Sequence, residues 1–204
     1  MNYEVDLHSF PGATIERLRR KISFLDNRYH LILVHVGTNN SNDSVEDILK
    51  KYDCLFKDIK RLNPNINVII SDILPRGEDF FTTLNQRVAA LNRLQVINRK
   101  IVEINSQLEK YCQNREAFFI CRSSHHFGAK LLARDGLHLN RLGNKKLAAV
   151  FLDNIKIVLT SKPVSTKSSL FFSKRLAGIW YVFKSQEQAL PGEFSETETH
   201  KIFE

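Results

Sequence analysis

Short apolar runs of strand length alternate with longer segments of helical period along the first 160 residues, and this alternation constrains the fold more than any other feature. Strands are expected at Tyr3–His8, Leu31–Val36, Asn67–Ser71 and Ala117–Cys121. Between them, Val45, Ile48, Leu49, Tyr52, Phe56 and Ile59 recur at helical spacing and stop near Asn63-Pro64, where proline ends a helix. Leu94, Ile97, Ile101, Ile104, Leu108 and Tyr111 mark a second helix. Its stripe is nearly a strict heptad but too short for a coiled coil, so a core-facing helix is expected. Leu142–Thr160 forms the last amphipathic segment. The pattern reads as βα repeats that build an α/β domain with a parallel sheet.

The chain has 204 residues, 43% of them hydrophobic, enough for one such domain over 1–160. After Ser161 the composition turns to Ser, Thr and Lys, so 161–204 reads as a linker and C-terminal tail, with disorder expected over Glu193–Glu204. Within it, Ile179-Trp180-Tyr181-Val182-Phe183 is a strong strand signal, expected over 177–183. No apolar run approaches the roughly 20 residues that cross a bilayer, and no secretory leader opens the chain, so a cytoplasmic protein without a membrane span is expected. Cys54, Cys112 and Cys121 form no spaced framework and read as free thiols of a reducing compartment. Of the net charge of +8, the first 160 residues carry +7 (24 Lys/Arg against 17 Asp/Glu). A surface that basic is compatible with RNA, through Arg17, Arg19, Arg20, Lys21, Lys145 and Lys146, although solvated helix faces explain the same clusters.

Three segments carry chemistry. Val34-His35-Val36-Gly37-Thr38-Asn39-Asn40 is a strand that runs into an amide-rich loop, where sites form in open parallel sheets. Asn39 can aim an N–H at a developing oxyanion, or the loop can simply be a turn. Arg134-Asp135-Gly136-Leu137-His138 places an Asp three residues before a His, the spacing with which a carboxylate fixes an imidazole as a general base; a capped turn is the plainer reading. Ser9-Phe10-Pro11-Gly12-Ala13-Thr14 ends a strand and opens a helix, and the free N–H of Gly12 is either an oxyanion donor or part of a tight turn.

Taken in this order and spacing, the segments resemble the blocks of the SGNH (GDSL-like) hydrolase family over roughly residues 3–160, with phrases such as Ser71-Asp72-Ile73-Leu74-Pro75-Arg76 closest to esterase-type domains of animal retrotransposons. The resemblance implies a three-layer α/β/α, flavodoxin-like fold and acyl-ester hydrolysis by Ser-His-Asp chemistry with no cofactor or metal. It gives His138 as base, Asp135 as its orienter, and Gly12 and Asn39 as oxyanion donors. Two departures follow from it. Asn40 stands where the family has Asp, which is expected to weaken the loop's hydrogen bonding. The Gly-Asp-Ser block is absent, so no nucleophile is assigned, and a truncated, catalytically inactive esterase is expected. Ser9 lies too far away, and Ser123-Ser124-His125-His126 reads as a loop without a nucleophile turn. A zinc site from Cys121, His125, His126 and His138 fits no closed-site spacing. The rival function is a non-catalytic RNA-binding module resembling the OSK domain.

In that fold the first strand is central. Its absence leaves a slot between the strands at Tyr3 and Leu31, where unpaired buried backbone groups cost about 1–3 kcal/mol each. Either the sequence is an incomplete copy of a longer product, or Gly178–Phe183 supplies a replacement strand. The first option is preferred, because Trp180, Tyr181 and Phe183 more simply cover an apolar face.

Overall fold

The computed structural model describes residues 3–160 and 179–185, and the expected linker and C-terminal disorder lie outside them. The first strand, β1 (Tyr3–Ser9), leads through a turn into a short helix, α1 (Ile15–Arg19). Next come β2 (Tyr29–His35), α2 (Val45–Leu62), β3 (Asn67–Ser71), α3 (Leu84–Gln113), β4 (Phe118–Cys121), α4 (Arg141–Thr160) and β5 (Ile179–Ser185). The start of β4 is set by Ala117, whose φ of +62° takes it out of extended backbone and moves the expected strand start by one residue.

Alternation along β2 builds the two layers that cover the sheet. Ile32 and Val34 face a core shared with Ile15 and Leu18 of α1, Ile48, Tyr52 and Phe56 of α2, and Ile101, Ile104 and Leu108 of α3. Leu31 and Leu33 face the opposite core, filled by Leu147, Phe151 and Ile155 of α4. Burial on both faces explains why β2 reads as a continuous apolar run instead of an alternating one. The third helix begins ten residues before the stripe predicted from Leu94. Its first turns escaped that reading because Leu84 and Val88 point into solvent, 82% and 71% exposed, and share no core.

Strands β2, β3 and β4 form the parallel sheet that the repeats predict. The complete order is β1-β5-β2-β3-β4. The last strand lies between β1 and β2 and is antiparallel to both, with Ser9↔Ile179 and Tyr3↔Ser185 on one side and His35↔Ile179 and Leu31↔Phe183 on the other. Residues 179–185 thus occupy the slot between the first two strands and give each a hydrogen-bonding neighbour. Of the two expected alternatives, the replacement strand from Gly178–Phe183 describes this arrangement, in which β5 answers the backbone requirement of β1 and β2 from within the chain. Since β5 reverses direction, its first residue sits at the edge where β1 and β2 end.

Candidate active site

Every loop singled out in the sequence leaves the carboxyl edge of the sheet. After β1, the Phe10 carbonyl accepts from the Ala13 N–H at 3.0 Å, with Pro11 and Gly12 at the corner and Gly12 at φ +69°, the pattern of a type II turn. Helix α1 begins later, capped by the Thr14 hydroxyl on the Arg17 N–H. Gly12 therefore belongs to a tight turn ahead of the helix, as one of the two readings of this segment has it, and not to the helix's first turn.

The loop after β2 is tied to this turn by Asn39 and Asn40. Asn39 is exposed and donates one amide N–H to the Ala13 carbonyl at 3.2 Å, leaving the second N–H of its amide for a ligand. Asn40 is buried and fully engaged. Its Oδ1 accepts from the Ile15 N–H at 2.9 Å, and its Nδ2 donates to Glu16 Oε2 at 3.0 Å and Asp43 Oδ2 at 2.7 Å. Lys51 pairs with the same two carboxylates. The expected weakening by Asn40 is thus overturned: an Asp here would present a third carboxylate to two others. Partial burial pushes the Glu16 carboxyl up, but hydrogen bonds from Lys51 and Asn40 outweigh it and hold the group at about 2.

Asp135 and His138 sit on a tight turn ahead of α4, closed by the Gly136 N–H on the Ala133 carbonyl at 3.0 Å and the Ala133 N–H on the His138 carbonyl at 2.7 Å. Asp135 Oδ1 accepts from the backbone N–H groups of Leu137 and His138, both at 2.9 Å, and Oδ2 meets His138 Nδ1 at 2.6 Å. Partial burial raises the Asp135 carboxyl, yet these bonds more than offset it and bring it to about 2. An ionised carboxylate on Nδ1 keeps the proton there and leaves Nε2 as an acceptor, the orientation a general base needs. The turn is braced by the loop after β3: the Gly77 N–H donates to the Gly136 carbonyl at 2.7 Å, and a Cβ on Gly136 would stand 2.3 Å from the Gly77 oxygen. Only glycine fits that approach.

A cavity of about 70 Å³ lies at this edge, lined by Gly12, Gly37, Thr38, Asn39 and His138 together with His35 and Arg76. Gly12, Asn39 and His138 therefore meet at one place, with Asp135 directly behind His138. Two lining residues were missed in the sequence. Arg76 donates to the Thr38 carbonyl at 2.7 Å, and burial, followed by repulsion from Arg93, pushes its guanidinium down. Nothing local in the sequence distinguishes such a cavity cation from a surface one. His35 is fully buried at the end of β2, and desolvation lowers it to about 4. An imidazole at the end of an otherwise apolar strand was the available signal.

The other candidates lie apart from the cavity. Ser123 and Ser124 bind the carboxylate of Asp72, Ser123 Oγ to Oδ1 at 2.5 Å and Ser124 Oγ to Oδ2. Cys121 is buried at the end of β4, its thiol pushed up to about 12 by desolvation, and among the described residues no three metal-ligating side chains come together. In the basic cluster, the Arg19 charge is paired with Asp58 at 2.5 Å. No described helix is long and apolar enough to cross a membrane.

No protein-family model matches the sequence, and no curated protein is similar to it. Solved structures do match. A Streptococcus pneumonia protein provisionally assigned as a platelet activating factor is similar at TM-score 0.55 and 18% identity, over 71% of this chain and 69% of that one. A family 3 carbohydrate esterase of Clostridium thermocellum is similar at TM-score 0.51 and 20% identity, over 74% and 69%. The esterase domain of the zebrafish ZfL2-1 retrotransposon ORF1 protein aligns at TM-score 0.41 and 22% identity, over 72% and 85%, too low a score to argue for that subgroup. With helices on both faces of a sheet whose parallel strands end at a shared cavity, the chain has the fold of the SGNH-type esterases.

Proposed function

We propose that the cavity binds small acyl esters and that His138, oriented by Asp135, acts as the base in their hydrolysis. The observation that carries this reading is the meeting of His138, Gly12 and Asn39 at one small cavity. The Gly12 N–H and the free N–H of Asn39 are the donors for the oxyanion, an interaction worth about 3 kcal/mol per donor in a dry site. The cavity's size favours short acyl groups over long chains.

Turnover by this chain is slow. Among the described residues lining the cavity there is no serine or cysteine, and Thr38 supplies the one hydroxyl. In a serine protease, loss of the nucleophile costs on the order of a million-fold in kcat, the remainder coming from binding and oxyanion groups. Water is then the attacking group: His138 Nε2 takes its proton as oxygen bonds to the carbonyl carbon, and the tetrahedral intermediate collapses with that proton passing to the leaving alkoxide.

Hydrolysis of p-nitrophenyl acetate tests the proposal. The expected result is a rate slightly above buffer that His138→Ala returns to background. Turnover at an ordinary enzymatic rate of about 10 per second, unchanged by His138→Ala, contradicts it.

A further inference from the structure

Beneath the cavity floor lies a buried polar chain that ester hydrolysis by His138 does not use. His35 Nδ1 is 2.9 Å from Ser71 Oγ, Ser71 Oγ is 2.9 Å from Ser123 Oγ, and Ser123 Oγ is 2.5 Å from Asp72 Oδ1. All four residues are at most 5% exposed. Each hydroxyl has one proton, so the direction of the chain is decided by Asp72. Desolvation raises that carboxyl, but it accepts from the Ser123 hydroxyl, the Ser124 hydroxyl and the Ser124 N–H, the last at 2.8 Å. Oδ1 already accepts the Ser124 N–H, so an acid proton belongs on Oδ2 toward the Ser124 hydroxyl, and the Ser123 hydroxyl donates to Oδ1 in either charge state. Ser123 then gives its proton to Asp72, so its 2.9 Å contact with Ser71 is a hydrogen bond only when Ser71 gives its own proton to Ser123, and in that arrangement Ser71 accepts from His35.

We infer that His35 is held as the neutral Nδ1–H tautomer and uses its bare Nε2 as a specificity-determining acceptor for a hydrogen-bond donor on the ligand in the cavity. Phe151 packs edge-on against the ring at 5.5 Å and Ser71 holds Nδ1, so Nε2 is the polar atom that His35, a lining residue, has left to offer. Burial disfavours the imidazolium, which would be a donor, so the acceptor character persists at neutral pH. Esters that carry a hydroxyl beside the acyl carbon are preferred over the same esters without it; this substrate class rests on the ester-binding reading above, whereas the tautomer does not.

Nitrogen NMR of the full chain tests both parts. At neutral pH the His35 ring is expected with Nδ1 protonated and Nε2 bare, the tautomer that free imidazole disfavours, and Ser71→Ala is expected to release it toward the Nε2–H form. A native His35 protonated at Nε2 overturns the inference. Titration with ethyl lactate and ethyl propionate, which differ by one hydroxyl, is expected to move the His35 Nε2 resonance with the first only and to give at least tenfold weaker binding of the second. Equal movement of the His138 resonances by both esters with no discrimination at His35 overturns the specificity role and leaves ester binding standing. No response to either ester at His138 or His35 overturns the ester-binding reading and the substrate class with it, while the tautomer is judged on its own spectrum. If His35→Phe fails to fold, Ser71→Ala carries the comparison, with the preference for lactate expected to fall.

Discussion

At the scale of single residues, Asn40 shows how a small departure from a pattern is compensated locally. Its amide donates to Glu16 and Asp43 while its oxygen accepts the Ile15 N–H. Asn40→Asp removes both donors and adds a buried negative charge, so a loss of about 1–3 kcal/mol is expected in urea unfolding, with Asn40→Ser milder. The pH dependence follows from the same cluster. Glu16 is held at about 2 against an ordinary 4.5, so it binds protons more readily unfolded than folded. Its stabilising contribution is complete above about pH 4.5 and is lost as the pH falls toward 2. Asp135, held at about 2 against 3.8, acts in the same direction. Acid titration of stability should therefore flatten in Glu16→Gln; an unchanged acid slope would contradict the assignment. The Asp135–His138 pair was legible from its spacing, and Gly12 and Asn39 from the resemblance. His35 and Arg76 were not, because their meaning lies in neighbours more than 30 residues away: Ser71 for His35 and Thr38 for Arg76.

At the scale of elements, the strands and helices followed from periodicity because burial on both faces leaves long apolar runs and helical stripes. The pairing of β5 did not follow, since an apolar run looks the same whichever direction it is inserted and whichever neighbours it takes. Its position makes it central. A proline at Val182 removes a ladder donor between two strands and is expected to cost about 3 kcal/mol or more, read as a large fall in Tm. A chain ending at residue 160 is expected to lose its cooperative melt; a sharp two-state transition in that fragment would mean β5 is dispensable. Gly136→Ala acts on the turn that carries Asp135 and His138, because its Cβ would strike the Gly77 carbonyl. Loss of the His138 Nδ1–H signal, with the global fold retained, is the expected NMR outcome.

At the scale of the molecule, four strands running the same way carry their loops to one rim, and β5, starting at that rim and running the opposite way, fixes β1 against β2. The cavity is thus a product of topology: residues from positions 12, 39 and 138 have no local reason to meet. The most direct measurement is an amide NMR titration with dimethyl methylphosphonate, a neutral tetrahedral mimic of an ester undergoing attack. The account predicts that the Gly12 N–H, the Asn39 side-chain amide and the His138 ring shift together with one dissociation constant. Shifts scattered over distant surfaces, or affecting only one of the three, would contradict it.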